Sequence, residues 1–219
     1  MNSGADSELL VPADGDIAIN EIEIKKSRFI TWIGRTDNEE AARELISLAK
    51  SEYPDARHHC SAFIHEVEGG NRVERSSDDG EPSGTAGRPM LDVLQGSGLT
   101  NITAVVIRYF GGIKLGTGGL VRAYSDSVSE CLNQVARMRR KKRLVRTVTA
   151  PAADAGRIEA ELRGRGFSII DTTWAQEVTF HIAVAADEVD QLDGAMQALT
   201  KGISAPSADA GETWREIPA

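Results

Sequence analysis

The residues best suited to chemistry fall in two short stretches, both rich in glycine. The first is Arg108-Tyr109-Phe110-Gly111-Gly112-Ile113-Lys114-Leu115-Gly116-Thr117-Gly118-Gly119, which follows a β-rich run and leads straight into a helical pattern. A strand, a glycine loop and a helix in that order can cradle an anion. Small residues let backbone N–H groups approach it, and the helix N-terminus adds positive potential. Gly116, Gly118 and Gly119 would bring the backbone close, while Arg108, Lys114 and Arg122 would supply charge. Neither the P-loop order nor the dinucleotide-binding fingerprint is present. The competing reading is that the glycines only satisfy tight backbone turns. The second stretch, Asp78-Asp79-Gly80-Glu81-Pro82-Ser83-Gly84-Thr85, places three carboxylates within four residues. Asp78, Asp79 and Glu81 together suit a hard cation or proton transfer. The spacing is not that of a calcium loop. On composition alone this is an acidic turn whose Asp side chains bond their own backbone.

Two further constellations are weaker. Arg57-His58-His59-Cys60 brings imidazoles and a thiol together, but only His65 lies nearby and there is no second cysteine pair for a zinc site. Neighbouring side chains on an extended chain point to opposite faces, so His58 and His59 cannot share a metal unaided. Cys60 with a histidine would make a nucleophilic pair, yet a cysteine at a strand start is more often a small buried hydrophobe. The last is the basic run Arg137 to Arg143, with Arg139, Arg140, Lys141 and Lys142 at its centre. It reads equally as a contact for an RNA backbone and as a solvated helix end.

The elements that must position these residues follow from periodicity. Apolar residues mark strands at Ile17–Ile24, with a break of phase at Asn20-Glu21, and at Arg28–Gly34. Asp37 or Asn38 caps a helix from Glu39 to about Ser51, and Cys60 to Val67 is a strand. Residues 76–87 have no apolar period and read as a loop. Pro89 opens a short helix to Gln95, Thr100–Arg108 is a buried strand, and a helix runs from about Leu120 to Ala136. Beyond it come a strand at Leu144–Thr149, a helix at Asp154–Arg165, strands at Phe167–Thr172 and Val178–Ala185, a helix at Asp187–Lys201 and a last strand at Gly211–Ile217. That order is βαββαβ, the ferredoxin-like split unit. The expected organisation is a flexible N-terminus at 1–16, a first domain at 17–140 and a second at 141–219.

Composition excludes several classes. The 219 residues are 41% apolar and 26% charged, an ordinary globular balance and long enough for a core without staples. No apolar run spans a membrane, and Met1–Asp16 has neither the basic nor the apolar region of a secretory signal. Two cysteines are too few for a disulfide framework and fit a reducing, cytoplasmic setting. Residues 1–136 hold 13 Lys and Arg against 21 Asp and Glu, whereas residues 137–219 hold 12 of each. The chain is therefore no general polyanion binder, and any nucleic-acid contact must be local.

Taken together, His59-Cys60-Ser61-Ala62, Arg75-x-Ser77-Asp78-Asp79-Gly80-Glu81-Pro82-x-Gly84-Thr85-Ala86-Gly87-x-Pro89, Asn101, Arg108-Tyr109-Phe110-Gly111-Gly112-x-x-Leu115-Gly116 and Gly118-Gly119-Leu120-x-Arg122-Ala123-Tyr124 resemble the IMPACT family in its bacterial YigZ branch. Lys25-Lys26-Ser27-Arg28-Phe29 fits the same pattern. The resemblance covers residues 17 to about 136 and implies an α+β fold in two domains. The first would be like domain four of elongation factor G, and the second a ferredoxin-like βαββαβ domain. Eukaryotic relatives regulate translation, with the help of a further domain that has no counterpart among these motifs. The sequence shows no matching metal-ligand set and no cofactor motif, so no cofactor and no metal are expected. Two functions follow as expectations. One is a translation-linked regulatory protein without catalysis, contacting RNA, the ribosome or a protein partner through a groove between the two signature loops, lined by Arg57, His59, Arg108, Lys114 and Arg122. The other is an enzyme for a phosphorylated or anionic small molecule held on Gly111–Gly119, with Asp78, Asp79 or Glu81 as base or metal ligand and His59 as proton shuttle.

Overall fold

The computed structural model describes residues 8–202, 204–207 and 210–219, and the chain divides into two compact units, Leu9–Arg139 and Arg140–Ile217. Of the N-terminus expected to be flexible, residues 1–7 lie outside the described residues, while Glu8–Pro12 forms a strand, β1.

In the first unit a five-stranded sheet has the order β2-β3-β6-β4-β5, formed by β2 (Ile17–Ile24), β3 (Ser27–Arg35), β4 (His58–His65), β5 (Val73–Ser77) and β6 (Ile102–Tyr109). Every neighbouring pair is antiparallel. Helix α1 (Glu39–Glu52) sets Leu45 and Ala49 against Ile30, Trp32, Val105 and Ile107 on one face. Helices α2 (Gly87–Gly96) and α3 (Thr117–Leu132) cover the other, packing Met90, Leu94, Tyr124 and Val128 on Phe29, Ala62, Ile64 and Val106. A sheet covered on both faces carries apolar residues at consecutive positions, which explains the unbroken run Thr103–Ile107. The phase break at Asn20-Glu21 does not interrupt β2, which is paired with β3 from Ile17 to Ile24; Ile17 and Ile19 are exposed, while Ile22 and Ile24 pack against the core. Asn38 caps α1 by accepting the Ala41 N–H at 2.9 Å. Strand β5 was invisible to periodicity because all five of its residues are exposed or half-buried, so no apolar face marks it.

The second unit is built from β7 (Arg137–Pro151), α4 (Ala152–Gly164), β8 (Ser168–Trp174), β9 (Glu177–Val184), α5 (Val189–Thr200) and β10 (Glu212–Pro218). Its strands lie in the order β10-β7-β9-β8, the arrangement of a ferredoxin-like split βαβ pair. Ile158, Leu162, Leu192 and Met196 of the two helices pack on Val148, Phe180, Ile182 and Val184. The fold is therefore α+β in two domains. One expectation needs correcting. The basic run is not a helix end: α3 stops at Leu132, and Arg137–Arg143 begins a 15-residue strand. Among the described residues no helix is long and apolar enough to cross a membrane.

Candidate functional site

Register places the site at one end of the first unit's sheet. Phe29, Arg108 and His58 are direct neighbours across β3, β6 and β4. All three face α2 and α3. Their chain neighbours Ile30, Ile107 and His59 face α1, by the alternation of a pleated strand. His59, expected in the groove, thus lies on the opposite face, where its Nε2 sits 3.0 Å from the Tyr53 carbonyl at the end of α1. His58 takes the groove position instead. Its Nδ1 is 2.9 Å from the Asp79 carbonyl. A carbonyl can only accept, so Nδ1 carries a proton, and it is the neutral ring that has an Nε2 lone pair to offer.

Arg108 is 6% exposed and its Nη1 donates to Glu81 Oε1 at 2.5 Å. The same oxygen accepts the Tyr124 hydroxyl at 2.8 Å. Tyr124 is fully buried, and burial drives its hydroxyl far above the ordinary tyrosine range, so it acts as a neutral donor. The Arg108 guanidinium also lies over two aromatic rings, Phe29 at 5.4 Å and Phe110 at 5.7 Å. Its Nε is buried and has no acceptor among the described residues. Cys60 lies beneath, with Sγ 3.0 Å from the Asp78 carbonyl and 3.3 Å from Tyr124 Oη. Burial pushes its thiol up to about 12, which leaves it protonated and unreactive at neutral pH. Both cysteines are free and buried.

Two carboxylates of the acidic loop are committed to structure, Asp78 within the loop and Asp79 to neighbouring elements. Asp78 accepts the N–H groups of Gly84, Ala86 and Gly87 at 2.7, 3.0 and 2.8 Å, closing the loop onto the start of α2. Burial alone would raise its carboxyl, but these three donors outweigh burial and hold it below the usual range. Asp79 accepts the His59 N–H at 2.7 Å and Lys50 Nζ at 3.2 Å. Only Glu81 turns inward. The turn-like reading is thus right for Asp78, whereas Asp79 ties the loop to β4 and Lys50 and Glu81 faces the cavity.

Glycines of the second loop divide in the same way. A Cβ on Gly111 would stand 2.0 Å from the Lys26 carbonyl, so the loop can lie on the β2–β3 turn only without a side chain there. That turn holds Lys25 and Lys26 at φ of 47° and 65°, with both residues exposed. Gly116 has φ of 78° and begins α3, whose first bond runs from the Leu120 N–H to the Gly116 carbonyl at 2.9 Å. The N–H groups before Leu120 have no partner within the helix.

Both loops line one cavity of about 430 Å³. Of the expected residues, Arg57, Glu81, Arg108, Lys114 and Gly116 line it. Gly118, Gly119 and Arg122 sit further along α3, and Asp78, Asp79 and His59 are outside the lining. His58, Phe110 and Thr117 line it and were not expected. Their signal was alternation for His58 and a large apolar residue beside glycines for Phe110. Among the described residues no three metal-ligating side chains come together. The basic run is elsewhere, on β7. Lys141 pairs with Glu8 at 3.2 Å, Arg140 with Glu216 at 3.8 Å and Lys142 with Glu212. Arg139 is exposed.

Comparison with known proteins gives the relatives of this arrangement. The Impact N-terminal domain matches residues 25–132, which include both loops, and a domain of unknown function, DUF1949, matches residues 148–202. IMPACT family member YigZ of Escherichia coli (strain K12) is 41% identical over 193 residues, 88% of this chain and 94% of the relative. IMPACT family member YvyE of Bacillus subtilis (strain 168) is 42% identical over 185 residues, 84% of each chain. A crystal structure described as that of a hypothetical protein superposes with a TM-score of 0.62 at 39% identity, covering 92% of this chain and 97% of its own.

Proposed function

The chain belongs to the IMPACT family, and from that premise we propose that it is a translation-linked regulatory binding protein that contacts RNA, the ribosome or a protein partner through the groove between its two signature loops. The observation that carries this reading is the shared cavity. Residues 78–87 and 108–119, far apart in composition and sequence, line one hollow with the buried Arg108–Glu81 pair in its wall. Arg57 and Lys114 are exposed in its lining, and the exposed Lys25 and Lys26 stand on the turn against which Gly111 is pressed. In a chain of net charge -8, that is a local basic rim suited to an anionic partner. The translational context comes from the family resemblance, since eukaryotic relatives regulate translation. The strand segment Arg139–Lys142 belongs to the same reading as a second, weak RNA contact.

The alternative, an enzyme acting on a phosphorylated or anionic small molecule, has less support. Asp78 and Asp79 are occupied with backbone and lysine partners, and His59 faces the wrong side of the sheet. The test is co-sedimentation with ribosomes from lysate at two salt concentrations. The double change Arg57→Glu and Lys114→Glu, both exposed, should abolish capture. Neutralising Arg139 to Lys142 should lower the salt slope by about 0.7–0.9 per lost phosphate contact. Capture that is unchanged by the groove variant would overturn the proposal.

A further inference from the structure

We infer that the cavity is a pocket for one unstacked nucleotide, its base resting on Phe110 and read by Glu81 and His58, its phosphate at Lys114 and the start of α3. This rests on the reading of the groove as a binding site and names what the groove takes.

The argument starts from an unused carboxylate oxygen. The Glu81 side chain is 4% exposed, and its contacts with Arg108, Tyr124 and His58 all fall on Oε1. No described residue bonds Oε2, and Glu81 lines the cavity. Oε2 is therefore an acceptor that opens on the cavity, where a ligand can present it with a donor. With its ring neutral, His58 adds a second acceptor. Its Nε2 lies 4.0 Å from Glu81 Oε1, and its Nδ1 is committed to the Asp79 carbonyl. Two neighbouring acceptors ask for two neighbouring N–H donors.

Phe110 supplies the second feature. The ring is 49% exposed although it lies beside a cavity, and the Arg108 guanidinium occupies one side of it. An aromatic ring backed by a buried cation, with its remaining surface open, is a stacking platform of the kind that holds splayed bases. Leu115 and Leu120 complete an apolar wall. Opposite charge gathers at the other end, where Lys114 and Thr117 line the cavity and the first N–H groups of α3 have no helical acceptor. A flat body with ring N–H donors on one edge and an anion at the far end is a nucleotide. Guanine fits best. Its N1–H and N2–H₂ are adjacent donors, whereas adenine and cytosine offer one donor beside an acceptor and uracil one N–H between two carbonyls. A volume of about 430 Å³ holds one such unit.

The unit can be a free nucleotide or one base of an RNA strand, and calorimetric titration of the full chain separates these. GMP, UMP, and short single strands with and without guanine serve as probes, beside the ribosome co-sedimentation described above. GMP should bind about tenfold or more tighter than UMP, because the mismatched edge leaves the carboxylate unpaired. Phe110→Ala, an exposed change that leaves the core intact, should weaken GMP roughly fivefold or more. Glu81→Gln should erase the preference for guanine; because it also leaves Arg108 without its anion, Phe110→Ala decides the matter if that variant does not fold. Strands binding with the same guanine preference identify the RNA source, and GMP binding without strand binding identifies the free nucleotide. Equal affinity for GMP and UMP, or no binding of either, overturns the inference. Ribosome capture in that case leaves the proposed function standing, while guanine-specific binding without ribosome capture sinks the translational reading and keeps the pocket.

Discussion

His58 and His59 are adjacent in sequence and take opposite faces of β4. Alternation foretold that they would separate, but not which one meets the groove. Helices cover both faces of this sheet, so the surrounding residues are apolar on both sides and leave no phase to read. Glycines pose a similar problem. A glycine required by a close approach and one that sits in open space look identical in sequence. Gly111 abuts the Lys26 and Ser27 backbone, whereas a Cβ on Gly118 would meet nothing within 4 Å. Gly111→Ala should therefore lower the unfolding free energy by about 3 kcal/mol, since backbone must move to admit the methyl group. Gly118→Ala should be neutral or stabilise the first turn of α3 by up to about 1 kcal/mol. Denaturant titration of both variants checks this pair, and equal destabilisation would mean that Gly118 has a packing role the structure lacks.

Elements were legible where burial imposes a period and illegible where it does not. β6 and α3 announced themselves through Val105, Val106, Tyr124 and Val128, all fully buried. β5 and the first half of β7 did not, because exposed or half-buried polar residues form them. In β7 the cations of a presumed helix end are spread along a strand, and two of them, Arg140 and Lys142, meet Glu216 and Glu212 of neighbouring β10. The Asp78–Gly87 loop has no period at all, and one side chain holds its shape. Asp78→Ala should cost about 1–2 kcal/mol, the range for losing a helix N-cap, because the Ala86 and Gly87 N–H groups lose their acceptor. The pH dependence follows in sign. The Asp78 carboxyl is held below its unfolded value of about 3.9, so its contribution is present above that pH and fades as pH falls through the folded value. Acid titration of wild type and Asp78→Asn, followed by thermal unfolding, should give a smaller loss of stability in the variant. A larger loss would rule out the carboxylate as the cap.

For the whole molecule, the uneven charge was plain in the sequence, with the whole net charge of -8 falling within residues 1–136. What could not be read was that this acidic part turns a basic rim outward at one end of its sheet. Arg57, Lys114, Lys25 and Lys26 come from three separate stretches, and only the fold brings two of them to one cavity and presses the turn of the other two against Gly111. The second domain was legible in its order of elements, which βαββαβ describes from end to end. We propose that the groove of the first domain is where a translation partner is met. The measurement that tests it most directly is photo-crosslinking in cells from a reactive residue placed at Ile113, 44% exposed between the two glycine pairs, with the equally open Ile170 of the second domain, at 48%, as control. Adducts with ribosomal RNA or a translation protein should form from position 113, be absent from position 170 and be lost when Lys114→Glu is added. The same adducts from both positions, or adducts from 113 that survive Lys114→Glu, would contradict it.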